Sequence, residues 1–350
     1  MPCKMSNKNM DHQEGIIVIR HGLLFAMLGC CLLPTARLAA EGRPLSANCT
    51  VRLATPDEAK TLLSADDDYL QTLSRFDLQV RLQRLDGATL PRLKERIVQE
   101  IVPWNAEDGA KVLGVIDRLR ERTMGLNINW PRTVLLIQTT GREDADAPYT
   151  RANAIVIPKR TASQGADKLE RLFVHELFHI LSRASPELRE RMYAVIGFEP
   201  CPEIPLPAAI RERKITNPDA PRIDSFQIVN HGNERFAVTP VLLSKTDQYD
   251  PVKGGTLFNY ADFRLMRLEK GEAGFRPLLR EGQPVLLEPK ETPDFHNQIG
   301  QNTGYIIHPD EVLADNFIHL VFGTAGLKSP QVIEGMKRVL QNLAGKNPLR

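Results

Sequence analysis

Phe173 to Leu181 read FVHELFHIL, with His175 and His179 four residues apart and Glu176 beside the first. On an α-helix, residues four apart differ by about 40° around the axis, so both imidazoles leave the same face. Two imidazoles on one face make part of a metal site, and a carboxylate one position along can reach a water on that metal. This is the donor pattern of a zinc hydrolase, with one Zn2+ ion and Glu176 as general base. The neighbours Leu169, Phe173, Val174, Leu177, Phe178 and Ile180 leave little polar surface on the segment, which predicts a buried helix. A buried glutamate and two buried histidines are costly unless paired or bound to metal.

Zinc needs a third protein ligand. A metzincin pattern would place glycine at 182 and histidine at 185, and both positions are serine. Another common arrangement takes a glutamate from a later helix, with an aspartate four residues beyond it. Among the glutamates downstream of His179, only Glu311 has an aspartate at that spacing, Asp315. Both lie in HPDEVLADNFIHLVF, where Pro309 suits the first helical position and Asp310 and Glu311 suit the first turn. Glu311 is the candidate third ligand. Asp315, on the same helix face, is the candidate partner for the far nitrogen of a ligand histidine.

HELFH followed by EVLAD resembles the gluzincin branch of the zincin metallopeptidases, thermolysin-like at these two motifs only. The resemblance covers about residues 130–325. It implies an α+β, zincin-like fold and hydrolysis of a peptide or protein substrate, with His175, His179 and Glu311 as ligands, Glu176 as base and Asp315 behind them. It also implies an edge strand ahead of the active helix that pairs with substrate backbone, and NAIVIP, residues 153–158, stands in that place. Family members stabilise the oxyanion with a tyrosine or histidine opposite the zinc. Tyr305, just before the ligand helix, is the first choice, with His231, His308 and His319 behind it. Two other readings stay open: a zinc hydrolase acting on a non-peptide bond, and a non-catalytic envelope protein that retains the metal site. Glu176 speaks against the latter, since a purely structural site has no need of a base.

These residues need elements to hold them. From Thr55 to about Leu126 the sequence reads as helices, opening on TPDEAKTLL with its Thr cap, Pro and acidic first turn. TVLLIQT (133–139) and NAIVIP then read as short strands, followed by helices over about 165–183 and 185–196. Residues 199–223 are proline-rich, and short β-like runs recur from Phe226 to Leu287. Two final helices are expected over about 309–322 and 329–343. The organisation is therefore a signal segment (1–40), a helical N-terminal region (41–130) and a catalytic domain (131–350), the last with a Pro-rich and β-rich insert at about 199–300.

The 350 residues are 42% hydrophobic and 25% charged, enough for a sizeable core and inconsistent with disorder. Gly22 to Leu33, GLLFAMLGCCLL, with Ala39 and Ala40 after it, reads as a secretory signal. The apolar run is short of the ~20 residues a spanning helix needs. The expectation is a periplasmic or secreted bacterial protein with no membrane span in the mature chain; a lipoprotein anchored at Cys30 is the weaker alternative. Residues 1–40 carry four basic and two acidic side chains, so the remainder is formally neutral, which argues against a nucleic-acid partner. That remainder keeps two cysteines, Cys49 and Cys201, and in an exported protein these predict one disulfide.

Overall fold

The computed structural model describes residues 42–272 and 274–344; the expected signal segment and Cys30 lie outside the described residues. Helices and two main sheets share the chain, a mixed architecture consistent with α+β. The first sheet has the order β1 (Arg43–Ser46), β2 (Cys49–Leu53), β3 (Thr133–Thr139), β5 (Ala154–Pro158), β4 (Tyr149–Arg151). Strands β2, β3 and β5 run parallel, while β1 and β4 are antiparallel to their neighbours. Strands β1 and β2 lie within the region 41–130 expected to be helical, ahead of the helices expected from Thr55. NAIVIP, expected at the edge, supplies the inner strand β5, and the edge belongs to the more polar β4.

Alternation along the inner strands explains how this sheet is covered on both faces. Val134, Leu136, Ile155 and Ile157 face one core. Leu135, Ile137, Ala154 and Val156 face another. The second core is closed by helices α1 (Pro56–Ser64), α2 (Asp68–Thr72) and α4 (Leu90–Gln99). Between them, α3 (Arg75–Leu82) starts at Ser74, whose side chain accepts from Asp77 N–H while the Asp77 carboxylate accepts from Ser74 N–H. That capping box starts α3 afresh, its cap Ser74 standing two residues after α2 ends at Thr72.

The first core holds the elements that carry the candidate site. Helix α5 (Ala106–Thr123) packs on β1 and on α7 (Ala166–Ala184), which follows the single turn α6 (Lys159–Ala162). Helix α8 (Pro186–Val195) leads through β6 (Phe198–Pro200) and a short α9 (Ala208–Arg211) to the second sheet. That sheet is antiparallel, with β6, β7 (Ser225–His231), β8 (Glu234–Ser244), β9 (Ala261–Gly271) and β10 (Gly274–Pro277) in reverse order. The turn α10 (Leu257–Tyr260) interrupts the span 226–287 in which β-like runs were expected. After α11 (Pro293–Ile299) the chain re-enters the first core as α12 (Pro309–Phe322) and α13 (Pro330–Ala344).

Helix α12 packs against α7. Phe178 of α7 and Phe317 of α12 pack with tilted rings, 5.5 Å between centroids, and both are fully buried. Burial of such a side chain stabilises by roughly 1.5–3 kcal/mol. Pro309 opens α12 and Gly323, at φ 60°, closes it in the left-handed conformation.

Cys49 and Cys201 are free thiols, so the expected disulfide does not form in this structure. Cys49 is buried in the first core, and Cys201 packs beside the separate core of the second sheet. Burial raises both thiols to about 11. No helix among the described residues is long and apolar enough to cross a membrane.

Candidate metal centre

Helices α7 and α12 bring residues 136 apart in sequence into contact: His175 Nε2 lies 3.0 Å from Glu311 Oε2. His179 Nε2 lies 3.5 Å from the same oxygen. His175, His179 and Glu311 each offer a ligand atom, and those atoms all lie within 4.8 Å of one another. A tetrahedral zinc with bonds of ~2.0–2.2 Å needs its donors ~3.4 Å apart, so these spacings suit the ion. The donor set, two imidazoles and a carboxylate, also suits it. His179 Nε2 and Glu176 Oε2 are buried without a hydrogen-bond partner, a cost that a cation and its water would relieve.

The far nitrogens are held as well. His175 Nδ1 is 3.0 Å from Asp315 Oδ1, and His179 Nδ1 is 2.7 Å from Asp310 Oδ2. An ionised carboxylate only accepts, so each Nδ1 donates, and both Nε2 atoms face the Glu311 oxygen. Asp315 stands where the sequence placed it. Asp310 was read as a first-turn acid, yet it is the partner of the second histidine. Ser182 Oγ donates to Asp310 Oδ1 at 2.6 Å and Tyr193 Oη does so at 3.1 Å. His308 is the N-cap of α12, its Nδ1 accepting from Asp310 N–H at 3.1 Å.

The electrostatics follow from this crowding. Burial works against charge on His175, but the bonds to Asp315 and Glu311 prevail and raise it to about 10. His179 is likewise held well above its ordinary value, burial being outweighed by Glu311, Asp219 and Asp310. Glu311 sits well below the usual carboxylate range: burial opposes its charge and the two histidines overcome that. Glu176 moves the other way, to about 8, through burial and the Asp219 carboxylate. Clustered carboxylates thus surround two imidazoles, a surplus of negative charge that suits a dication.

Glu176, His179 and Asp219 form a second group with ligand atoms within 4.8 Å. Asp219 belongs to the loop 217–222, as does Asn217, whose Nδ2 donates to Glu311 Oε1. Neither carries a periodicity or motif that would single it out in a proline-rich stretch; the dipeptides NP and AP there mark only turns. Tyr305 lies at the site's rim, 40% exposed, its ring stacked on His175 at 6.3 Å. His231 is exposed at the end of β7, and His319 sits in the last turn of α12. Comparison with models of protein families, with curated proteins and with solved structures gives no match.

Proposed function

We propose that this chain is an exported zinc metallopeptidase with a gluzincin-type site in a zincin-like fold. The observation that carries the reading is the convergence of His175, His179 and Glu311 from two helices, each histidine backed by its own carboxylate. The antiparallel edge strand β4, which precedes β5 and α7 in the chain, would be where the substrate backbone lies.

His175 Nε2, His179 Nε2 and a Glu311 oxygen would hold one zinc. Bound there, zinc supplies Lewis acidity, polarising the scissile carbonyl and making water acidic enough to attack near neutral pH. Glu176 does the proton work. Its Oε2 has no partner, and it would take the proton of the attacking water and pass it to the leaving amine. Asp315 and Asp310 fix the imidazole orientations. Tyr305, whose ring stacks on His175, would donate to the developing oxyanion.

Elemental analysis should find one zinc per chain. A peptide library should be cut, with cleavage stopped by a chelator and restored by zinc. Glu176→Gln should keep the metal and lose nearly all turnover. A chain that binds no zinc, or cuts peptides equally well with chelator present, would reject the reading.

A further inference from the structure

The edge of β4 is already occupied. Thr150 N–H donates to Asp219 Oδ1 at 2.6 Å, and Thr150 Oγ1 donates to the same oxygen at 2.7 Å. An extended peptide adding to this edge would need that amide. Two residues earlier, Asn217 donates to Glu311, the candidate ligand. Arg183, one turn beyond His179, closes the arrangement. Its Nη2 donates to Thr150 Oγ1 and to the Asp219 carbonyl, both at 2.9 Å, and its Nη1 donates to the Ala152 carbonyl at 2.9 Å.

The loop also lines two cavities. On one side lies a cavity of about 460 Å³, with Arg151, Ala152 and His179 in its wall. On the other lies a smaller one with Tyr149 and Tyr305 in its wall. Pro218 and Asp219 line both, so the loop adjoins two cavities, one walled by Arg151 and the other by Tyr149 of β4.

Its attachment is uneven. Thr216 is rooted firmly: Asp77 accepts from its N–H at 3.0 Å and its Oγ1 at 2.7 Å, and Arg81 donates to its carbonyl at 3.0 Å. Beyond that root, among the described residues, no backbone–backbone hydrogen bond ties 217–222 to the rest of the chain. Side chains hold the segment in place, so its release breaks no sheet or helix.

We propose that residues 217–222 are a built-in plug that blocks the edge of β4 and must swing away, hinged after Thr216, before an extended peptide can bind. The proposal rests on the metallopeptidase reading and adds that the closed chain is latent. A binding-competent state that is only fractionally populated lowers apparent affinity by that fraction. Loosening the plug therefore tightens peptide binding, whereas a loop that merely shapes the site would bind worse when loosened.

The test uses the full chain loaded with zinc, in a Glu176→Gln background so that peptide is bound and not cut. Two variants loosen the plug: Asn217→Ala with Asp219→Ala, which removes its side-chain ties to Glu311 and Thr150, and Pro218→Gly, which leaves those ties intact. A fluorescein-labelled pool of unstructured peptides should bind each about tenfold more tightly by anisotropy, as expected if the open fraction rises from about 1% to about 10%. Hydrogen exchange at the Thr150 amide should quicken in both. Weaker or unchanged binding in both variants overturns the plug, and if zinc content stays at one per chain the metal reading survives that result. Absence of zinc from the parent overturns both.

Discussion

Asp310 Oδ2 accepts from His179 Nδ1 at 2.7 Å, with the two side chains 3% and 0% exposed. The other histidine pair, His175 with Asp315, is similar in length but more open, its aspartate 26% exposed. Burial decides how the two should differ on mutation. Asp310→Ala removes a partner from His179, Ser182 and Tyr193 at once. It should lower zinc affinity by on the order of 10–100-fold and stability by about 3 kcal/mol, the lower end for breaking a buried pair. Asp315→Ala should show a similar loss in affinity with a smaller destabilisation, since that pair is partly open to solvent. Calorimetric zinc titration beside thermal unfolding reads both; equal stability losses would contradict the assignment of Asp310.

Glu311 separates ligand from bystander. Its Oε2 faces both Nε2 atoms, so Glu311→Ala leaves two histidines alone on the metal face. Zinc affinity should fall by more than the ~100-fold that marks the upper end for an outer partner. Peptide cleavage should vanish with it. Normal zinc content in the purified variant would remove Glu311 from the site.

The parts of this site visible in the sequence were those with a helical repeat. His175 and His179 share a face by spacing alone, and the apolar run around them announces burial. Glu311 and Asp315 stand out by their separation of four. Asp310 does not, because an acid in a first turn already has a sufficient reason to be there, favourable contact with the helix N-terminus. Asn217 and Asp219 reach the site through tertiary packing of a loop, which leaves no period to read. Strand β4 is three residues, Tyr-Thr-Arg, too short and polar to outweigh NAIVIP as a strand, so the edge was given to its neighbour. Cysteine counting failed for a related reason: two thiols in a chain carry no information on distance, and these pack in different cores.

A second buried charge cluster ties the N-terminal helices to the insert. Asp77 and Arg81 have side chains 0% and 2% exposed and pair at 2.6 Å. Arg81 Nε also lies 3.2 Å from Asp144 Oδ1, and Asp77 receives both donors of Thr216. Removing one member strands the others in a dry interior. Asp77→Ala should destabilise by about 3–5 kcal/mol, measurable as a drop in the urea midpoint. A loss below about 1 kcal/mol, the scale of an exposed pair, would mean that water reaches the cluster.

Glu143, in the turn after β3, sets a pH dependence that is independent of the metal ligands. Its side chain is buried, with Oε1 accepting from Thr139 Oγ1 at 2.6 Å and Oε2 unpartnered. Burial pushes the carboxyl from 4.5 up to about 7; the Thr139 bond opposes the shift, and Asp144 and Glu100 add to it. Between about 4.5 and about 7 the folded chain keeps a proton that the unfolded chain has released. The contribution of Glu143 to stability is therefore complete below 4.5, declines as pH rises through about 7, and stays lost above it. The shift corresponds to at most roughly 3 kcal/mol. Glu143→Gln cannot ionise and should escape this decline. Urea unfolding of chelator-treated protein at pH 5 and pH 8 should show the variant gaining on the wild type by up to roughly 3 kcal/mol between the two. Parallel profiles would show that Glu143 is already ionised in the folded chain at pH 5.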